Sequence, residues 1–444
     1  MAWTETTLKG FVSVESGAAF KSEEFVDQGI PVVKIANITN NTLEPTKGDD
    51  YIKESDLEKY ESVKLSQGDV LIAMSGNTTC KMGRVPENFS PSLLNQRVGW
   101  IKPVTDEIDI DFVYHLLVSE TYQNRLWNYA TATGQPNLSP RDIKRIAFNK
   151  PPKPEQTAIA TILSKVDDAI EATQKSIKAA EKLKKALMQN LLTGKLKPDG
   201  TWRSEGELIL TKYGSASADW KYCKINDLIK EDYILKVQDG NHGESHPVSA
   251  EFVDEGIPFV MASDISKGYV DTKNCKKITK QRADKLRIGF AKEGDVLLSH
   301  KASVGYTCIV EEADPYIMLT PQVTLYRVDP AKLIPEYLLY FFQLYTFQVI
   351  LEGFAKQSTR NYIGITNQKK LWIYLPDSVQ EQSKLVEPIR KVDKEILDKQ
   401  SKIKSLQRLK KSLMQNLLTG KVRLPEEFIK QFEVEENNKE VIAE

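Results

Sequence analysis

The residues that could do chemistry form no complete catalytic motif. A phosphate-binding loop requires GxxxxGK followed by Ser or Thr, and the TGK sequences at Thr193–Lys195 and Thr419–Lys421 lack both the first glycine and the hydroxyl. A zinc-binding HExxH helix would place Glu directly after the first histidine, whereas His242 and His246 flank Gly-Glu-Ser in a turn-rich segment. The chain is therefore predicted to be non-catalytic, without a metal site.

Six polar segments instead carry side chains that suit nucleic-acid binding. They span 16–22, 75–84 and 133–141 in the first half, and 238–247, 299–305 and 356–362 in the second. Their Asn, Gln, Lys, Arg and Ser side chains can hydrogen-bond base edges and phosphates, although each alone could equally be a solvated loop residue. From residue type and loop position, the predicted DNA-contacting residues are Asn77, Lys81, Gln135, Asn137, Arg141, Asn241, His242, Lys301, Ser303, Thr359 and Arg360.

The elements that must position these loops are written twice in the chain. The segments LKKALMQNLLTGK (183–195) and LKKSLMQNLLTGK (409–421) agree at every position except one. The step from the first copy to the second, here called the repeat offset, is about half the length of the chain. Weaker similarity joins Glu24–Ile38 to Glu251–Ile265, and Gly68–Leu71 to Gly294–Leu297. A repeat of this length predicts two similar structural units.

Apolar residues recur at heptad spacing before each repeated segment. This pattern predicts two long helices, 154–195 and 377–421, that pack on each other as an antiparallel coiled coil. Lys184 and Lys410 interrupt the pattern at the same place in both helices. The predicted seam residues are Val166, Ile170, Ile177, Leu187, Leu191, Val392, Ile396, Ile403, Leu413 and Leu417.

The segments before the helices alternate strand-like runs with turn residues, and each contains one helical stretch, near 112–128 and 335–351. We expect an α/β fold with two globular heads, 1–153 and 213–376, separated by the two long helices in a pseudo-twofold duplication. Residues 196–212 form a connector, and 422–444 form an acidic tail.

Composition narrows the class of protein. The formal net charge is zero, so a strong non-specific attraction to nucleic acid is not expected. The four cysteines are scattered without a CxxC pair, which is typical of reduced thiols in the cytoplasm. No apolar run approaches the ~20 residues of a membrane helix, and the N-terminal sequence does not look like a signal peptide.

Several of these sequences together resemble the specificity, or DNA-recognition, subunits of type I restriction-modification systems. The resemblance rests on the repeated LLTGK helix end and on the helix approaches PPKPEQ (151–156) and LPDSVQEQ (375–382). The paired GIP and GDVL stretches, TGQPNLS (133–139) and LKPDGTW (196–202) add to it. One departure is that KQSTRNYIGI in the second half does not align residue by residue with TGQPNLSPRDI in the first.

The resemblance implies that each head is a target-recognition domain reading one half of a bipartite double-stranded DNA site. The helices would set the spacer between the half-sites and dock two methyltransferase subunits. S-adenosylmethionine would be bound by those partners, and ATP with Mg²⁺ by a restriction subunit, so no cofactor is expected in this chain.

The alternative function is a non-enzymatic, two-headed coiled-coil scaffold that binds two protein partners. The helices fit both functions, whereas the paired polar loops favour DNA. A fused methyltransferase or nuclease is disfavoured because no segment remains to form that domain.

Overall fold

The computed structural model describes residues 3–39, 42–44, 50–132, 134–243, 246–266, 268–356 and 361–433. Two of the predicted DNA-contacting residues, Thr359 and Arg360, lie outside these ranges, as does the predicted acidic tail from residue 434 onward.

The chain folds into two compact units. Unit 1 comprises Met1–Gln174 and Ser401–Glu444, and unit 2 comprises Lys175–Gln400. Both dividing points fall inside the long helices, so each unit contains one head together with a part of each helix. This grouping differs from the linear order of head, helix, connector, head, helix and tail. The reason is that the start of one helix and the end of the other bury apolar side chains in the same head.

Unit 1 is built on two four-stranded sheets. One contains, in spatial order, Val12–Ser16, Val98–Pro103, Val70–Ala73 and Met82–Arg84, all antiparallel. The other contains Tyr51–Ile52, Ile30–Val33, Ser92–Leu94 and Lys64–Leu65, with a parallel pairing between its second and third strands. Thr4–Thr7 pairs with Ala147–Lys150, and Ile38–Thr39 pairs with Thr42–Leu43.

Unit 2 repeats this arrangement. Its antiparallel sheet contains Ile234–Asp239, Val323–Val328, Val296–Ser299 and Thr307–Ile309. Its mixed sheet contains Phe252–Val253, Lys276–Ile278, Ile257–Val260, Ile317–Leu319 and Phe290–Ala291, again with one parallel pairing. Lys221–Lys224 pairs with Trp372–Leu375, and Leu208–Thr211 pairs with Gly214–Ser217.

The three short α-helices of the first head have counterparts in the second head, which contains two further short α-helices among its described residues. The α-helices are Ile110–Val118, Glu120–Ala130, Pro140–Lys144, Lys153–Leu191, Ile225–Lys230, Lys280–Asp284, Pro335–Gln343, Tyr345–Lys356, Ile365–Gln368 and Val379–Leu417. Short 3₁₀ turns span Leu8–Gly10, Ser22–Glu24, Ile35–Asn37, Glu54–Val63, Glu87–Phe89, Glu205–Glu207, Ser249–Glu251 and Ala262–Ile265. Residues 426–433 are also helical.

Each helical stretch predicted as one helix is in fact two consecutive helices. The break falls at Ser119 in unit 1 and at Leu344 in unit 2, where ψ is 147° and 132°. These extended backbone angles end the first helix and redirect the second. The fold class predicted from the sequence, two α/β heads with two long helices, is otherwise confirmed.

The long helices are anchored by their ends in the core of each head. In unit 1, Leu163 and Leu417 join Phe112 and Leu116 in one cluster of buried side chains. In unit 2, Leu191 and Leu385 join Tyr337 and Phe341 in the corresponding cluster. Burying one such side chain stabilises a fold by about 1.5–3 kcal/mol, so these anchors fix both helices to the heads.

The two helices run antiparallel where they meet within each unit. In unit 2, Ser176 accepts a hydrogen bond from Lys399 at 2.6 Å, and Lys184 pairs with Asp393 at 2.6 Å, so residue numbers rise along one helix and fall along the other. Ala180, Val392 and Ile396 are buried between these contacts. All ten predicted seam residues are buried or half-buried.

The two lysines that interrupt the heptad pattern form ion pairs at equivalent positions. Lys184 pairs with Asp393 in unit 2, and Lys410 pairs with Asp167 in unit 1 at 2.5 Å. The two lysines are separated by the repeat offset, and so are the two aspartates. A charged pair at a seam penalises a shift of one helix along the other, because a shift would separate the charges. The interruption therefore marks the helix register.

Each long helix has, in its first turn, a glutamate that accepts a hydrogen bond from a tryptophan. In unit 1, the Trp3 indole donates to Glu155 at 3.0 Å, and Arg423 forms a bidentate pair with the same carboxylate. Gly420, with φ +71°, packs against the Trp3 ring. The segment that contains Trp3 and the segment that follows the second long helix therefore contact each other in unit 1.

Unit 2 has the same set of contacts, made by residues from the middle of the sequence. The Trp220 indole donates to Glu381 at 3.2 Å, Arg203 lies 3.7 Å from that carboxylate, and Gly194 packs on the Trp220 ring with φ +70°. Gly194 and Gly420 thus have the left-handed backbone that is typical of the residue just past the end of a helix.

Among the described residues, no single helix is long and apolar enough to cross a membrane. The consecutive helices Pro335–Gln343 and Tyr345–Lys356 pass the length and composition test only when joined, and they are bent by 70°.

Candidate nucleic-acid interface

Two of the polar segments meet in unit 1. An isolated β-bridge pairs Ser75 with Asn137, and the Leu138 amide donates to the Met74 carbonyl at 2.7 Å. The Thr78 hydroxyl donates to the Ile35 carbonyl at 2.7 Å, which brings a third loop to the same place. Two separate segments that carry predicted DNA-contacting residues are thus joined side by side.

The predicted residues of unit 1 are mostly accessible. Asn77, Gln135, Asn137 and Arg141 are exposed, and Lys81 is half-buried. Arg141 was predicted on a loop but lies in the first turn of the helix Pro140–Lys144. Ser139 and Asp142 cap that helix reciprocally, which explains why the end of the predicted loop is helical. The rigid turn fixes the direction in which Arg141 leaves the backbone.

Unit 2 joins its loops at the corresponding position. Lys301 forms an isolated β-bridge with Tyr362, and the Ala302 amide donates to the Asn361 carbonyl at 3.0 Å. Lys301 stands at the position of the repeat that corresponds to Ser75. Tyr362 stands one position before the residue that corresponds to Asn137. The structure thereby aligns two segments whose sequences do not align.

A buried polar network supports the loop junction of unit 2. His300 Nε2 contacts the Pro321 carbonyl at 3.0 Å, and His300 Nδ1 contacts the Gln368 side-chain amide nitrogen at 2.7 Å. A neutral imidazole with its proton on Nε2 satisfies both contacts. Burial lowers the pKa of His300, which keeps the ring neutral. Gln368 also accepts from the Tyr326 hydroxyl at 2.6 Å and donates to the Ile363 carbonyl at 2.8 Å.

The predicted residues of unit 2 divide into two groups. His242, 2.8 Å from Asp239, and Ser303 are exposed, and Lys301 is half-buried. Asn241 is only 4% exposed, and its amide donates to the Ile288 carbonyl at 2.5 Å and accepts from the Arg287 amide at 3.1 Å. Asn241 is therefore a loop anchor, and we omit it from the proposed DNA-contacting set.

Sequence reasoning missed two exposed residues on these surfaces. Arg97 is exposed in unit 1, and its carbonyl accepts from the Met74 amide at 3.1 Å, which places it at the base of the loop with Asn77. Tyr306 is 41% exposed and occupies the place in unit 2 that Lys81 occupies in unit 1. The available signal for Arg97 was its place after Gln96, which aligns with Gln322 in the repeat.

The described residues contain no cluster of metal ligands, and their four cysteine thiols are not activated. Among them, no three His, Cys, Asp or Glu side chains come together as metal ligands. Burial raises the pKa of the Cys80 and Cys308 thiols to about 12, and that of the Cys223 and Cys275 thiols to about 11. These thiols are protonated at neutral pH and therefore poor nucleophiles.

Comparison with known proteins matches both halves of the chain to one family. Residues 2–182 and 218–408 each match the family described as type I restriction modification DNA specificity domain. The match confirms the resemblance inferred from the helix ends and helix approaches.

Curated relatives carry the same description. The type I restriction enzyme EcoBI specificity subunit of Escherichia coli is 22% identical over 404 residues, which covers 88% of this chain and 79% of that subunit. The putative MjaX specificity subunit of Methanocaldococcus jannaschii is 23% identical over 430 residues, covering 95% and 94%. The MjaVIII specificity subunit of the same organism is 32% identical over 200 residues, less than half of either chain at 44% and 46%.

The fold is also similar to a crystal structure of a type I restriction-modification S subunit from M. genitalium. The TM-score is 0.61 at 14% identity, with 94% of this chain and 96% of that chain covered. The chain therefore belongs to the family of type I restriction-modification DNA specificity subunits and carries two specificity domains.

Proposed function

We propose that each unit of this specificity subunit reads one half of a bipartite double-stranded DNA site. The observation that carries the proposal is the loop junction that occurs once per unit, at Ser75–Asn137 and at Lys301–Tyr362. The junctions share their backbone pairing and differ in their side chains. A common scaffold with different side chains is suited to reading two different short sequences.

The exposed side chains have the chemistry for base recognition. Asn and Gln can bind adenine bidentately, whereas Arg and Lys can bind the acceptor pair of guanine in the major groove. In unit 1 the proposed contacts are Asn77, Lys81, Arg97, Gln135, Asn137 and Arg141. In unit 2 they are His242, Lys301, Ser303 and Tyr306, with Thr359 and Arg360 retained from the sequence. The scaffold alternative accounts for the helices but gives no reason for these paired surfaces.

The repeated helix segment is proposed to dock two copies of one partner, the methyltransferase subunit. Leu183 in unit 2 and Leu409 in unit 1 occupy the same position of the repeat and are 50% and 48% exposed. An exposed leucine is unremarkable alone, but here the surrounding letters are also kept almost unchanged between the two copies. Two equal faces fit two equal partners.

This docking face can be tested by stoichiometry. L183D and L409D each place a charge on one copy of the face, and we expect native mass spectrometry to show loss of one methyltransferase subunit per variant and of both in the double variant. Leu397 is 58% exposed on the second long helix but lies outside the near-identical segment 409–421, so L397D is the matched control. Full occupancy in the double variant would contradict the assignment.

The remaining functions are assigned to partners. We propose that the chain itself is non-catalytic, that S-adenosylmethionine is bound by the methyltransferase subunits, and that ATP and Mg²⁺ are bound by a restriction subunit. The complex would act in the cytoplasm, where its DNA substrate is.

Loop variants test the assignment of one unit to one half-site. N77A/N137A alters unit 1 and K301A/S303A alters unit 2, and the methylated motif of the complex with the methyltransferase is then compared with wild type. We expect each variant to relax one half-site by about 1–3 kcal/mol of discrimination per lost bidentate contact and to leave the other unchanged. N88A/N149A, in exposed positions of other segments of unit 1, is the control. Equal loss at both half-sites would contradict the proposal.

A further inference from the structure

Each unit contains one glutamine that ties a recognition loop to a helix break. In unit 1, Gln123 Nε2 donates to the Cys80 carbonyl at 3.0 Å and to the Leu117 carbonyl at 2.7 Å. In unit 2, Gln348 Nε2 donates to the Gly305 carbonyl at 3.0 Å and to the Phe342 carbonyl at 2.6 Å. One side-chain amide therefore satisfies two main-chain carbonyls in both units.

The contacts are equivalent between the units. Gln123 corresponds to Gln348, Cys80 to Gly305 and Leu117 to Phe342. The two members of each pair are the same number of residues apart in the sequence. Few of the neighbouring residues are identical in the two units, so the hydrogen-bond geometry is retained although the sequence around it differs. A contact retained between two divergent surfaces has a role common to both.

The loop carbonyl in each contact belongs to a residue with a left-handed backbone. Cys80 has φ +70° and Gly305 has φ +101°. The left-handed conformation costs a residue with a side chain roughly 1–2 kcal/mol, so Cys80 needs neighbouring contacts to hold it. At Gly305 a Cβ atom would lie 2.2 Å from Gln348 Oε1, so a side chain there would have to displace the glutamine from its present position.

The residue after each of these two loop carbonyls is partly or fully accessible, since Lys81 is half-buried and Tyr306 is 41% exposed. Lys81 follows Cys80, and Tyr306 follows Gly305. The loop that begins at Ser75 and ends at Cys80 carries Asn77, and the loop that begins at Lys301 carries Ser303. Each loop is thus fixed at one end by the β-bridge and at the other by the glutamine.

Glutamine suits this task better than its neighbours in size and charge. Its amide nitrogen has two donor hydrogens, one for each carbonyl. Glutamate of the same length has no donor when ionised, and asparagine is one methylene shorter. Of these three residue types, only glutamine provides two donor hydrogens on one nitrogen at the distance that both carbonyls require.

We infer that Gln123 and Gln348 are positioning residues that set the conformation of the base-reading loops, each acting on its own half-site. The inference rests on the proposed function for its effect on DNA, whereas its effect on loop conformation does not. Neither glutamine needs to contact DNA. Preorganising a loop reduces the ordering cost on binding and sharpens discrimination between correct and incorrect bases.

The loop effect can be measured on the full chain without DNA. In Q123A we expect amide hydrogen exchange of residues 75–81 to increase about ten-fold or more, with residues 301–306 unchanged, and in Q348A the reverse. Loss of one or two hydrogen bonds of ~1 kcal/mol each gives that order of magnitude. Unchanged exchange in the loop of the altered unit would overturn the inference regardless of what the protein binds.

The DNA effect is measured with duplexes that carry the methylated motif with one half-site intact and the other replaced. We expect Q123A to lose about ten-fold discrimination at one half-site and none at the other, and Q348A to show the opposite pattern. Failure of the wild-type complex to discriminate would overturn the proposed function. Normal discrimination by both variants would overturn the inference alone.

Two other glutamines supply the matched control. Gln156 Nε2 donates to the Glu107 and Pro151 carbonyls at 3.0 and 2.9 Å, and Gln382 Nε2 donates to the Lys332 and Pro376 carbonyls at 2.9 and 3.0 Å. They make the same two-carbonyl contact where the long helices begin, away from the loops. Q156A and Q382A should lower the melting temperature without changing half-site discrimination. If they reduce discrimination as much as Q123A and Q348A do, the positioning role is overturned in favour of general destabilisation.

Discussion

At the residue scale, the structure separates polar side chains that are already hydrogen-bonded within the loops from those that remain exposed. Asn241 looked like a DNA contact by residue type, but its amide is occupied by main-chain groups. No sequence motif marks Gln123 or Gln348, because each is a lone glutamine on a helix. Residue type predicts which groups could bind DNA, whereas hydrogen-bond partners decide which remain available.

Glycine at 305 offers a direct test of loop geometry. G305A puts a methyl group where Gln348 Oε1 lies and adds strain at φ +101°, so we expect both lower stability and displacement of the glutamine. Gly294 has φ +83° but open space around it, and G294A therefore isolates the backbone cost of roughly 1 kcal/mol. Thermal unfolding should show a larger decrease in melting temperature for G305A than for G294A. Equal decreases would show that the contact with Gln348 does not affect stability.

His115 predicts a pH dependence of stability in unit 1. Burial, with smaller effects of Arg84 and Lys410, lowers the pKa of His115 to about 2, although Asp167 lies 3.9 Å from Nδ1 and Ser164 contacts Nε2 at 3.0 Å. The unfolded chain binds a proton below about pH 6.5, whereas the folded chain does not, so stability falls as the pH falls below that value. The expected loss at pH 5 is roughly 2 kcal/mol.

The variant H115Y tests this origin, because Tyr340 occupies the equivalent position in unit 2. Chemical denaturation at pH 7 and pH 5 should show a smaller loss of unfolding free energy on acidification in H115Y than in wild type. His300, with its own lowered pKa, will still contribute to the loss in both proteins. An identical pH dependence in the two proteins would show that His115 is not the group responsible.

At the element scale, the long helices follow from the sequence and the loop junctions do not. Heptad periodicity and glycine ends predict the helices, because a helix is a local structure whose apolar face repeats along the chain. The pairing of Asn137 with Ser75, or of Tyr362 with Lys301, joins segments far apart in sequence through single β-bridges. No local pattern specifies such a bridge. Lys184 and Lys410 were recognised as interruptions, but their aspartate partners appeared only when the helices were paired.

The ion pair Lys184–Asp393 is expected to be coupled more strongly than a surface pair. Its side chains are 20% and 29% exposed, whereas those of Lys391–Glu387 on the same helix are 74% and 51% exposed. A double-mutant cycle with K184M and D393N should give a coupling of about 1 kcal/mol, against a few tenths for K391M and E387Q. Equal coupling energies would show that the seam pair does not specify the helix register.

At the scale of the whole molecule, the duplication accounts for the organisation of the chain. Each long helix passes from one unit into the other, and each unit uses the start of one helix and the end of the other. Unit 1 is closed by Trp3 and Arg423, near the two ends of the sequence, whereas unit 2 is closed by the internal residues Trp220 and Arg203. The repeat thus yields two equivalent units from one continuous chain.

The spacer hypothesis can be tested by lengthening both helices. Inserting one heptad in each helix, at 174/175 and at 400/401, keeps the seam in register and adds ~10.5 Å. We expect the unspecified spacer of the DNA motif to grow by about three base pairs, with both half-sites unchanged. A four-residue insertion in each helix, which rotates the apolar face out of register, is the control and should impair folding. An unchanged spacer in the heptad variant would refute the hypothesis.

The most direct test of the central claim is the adenine-methylation map of host DNA after co-expression of this chain with the proposed methyltransferase partner. We predict methylation of a single split motif, formed by two different short half-sites around a spacer of fixed length. A contiguous motif, or no sequence-dependent methylation despite a stable complex of the two proteins, would contradict the proposal that the two units read two halves of one DNA site.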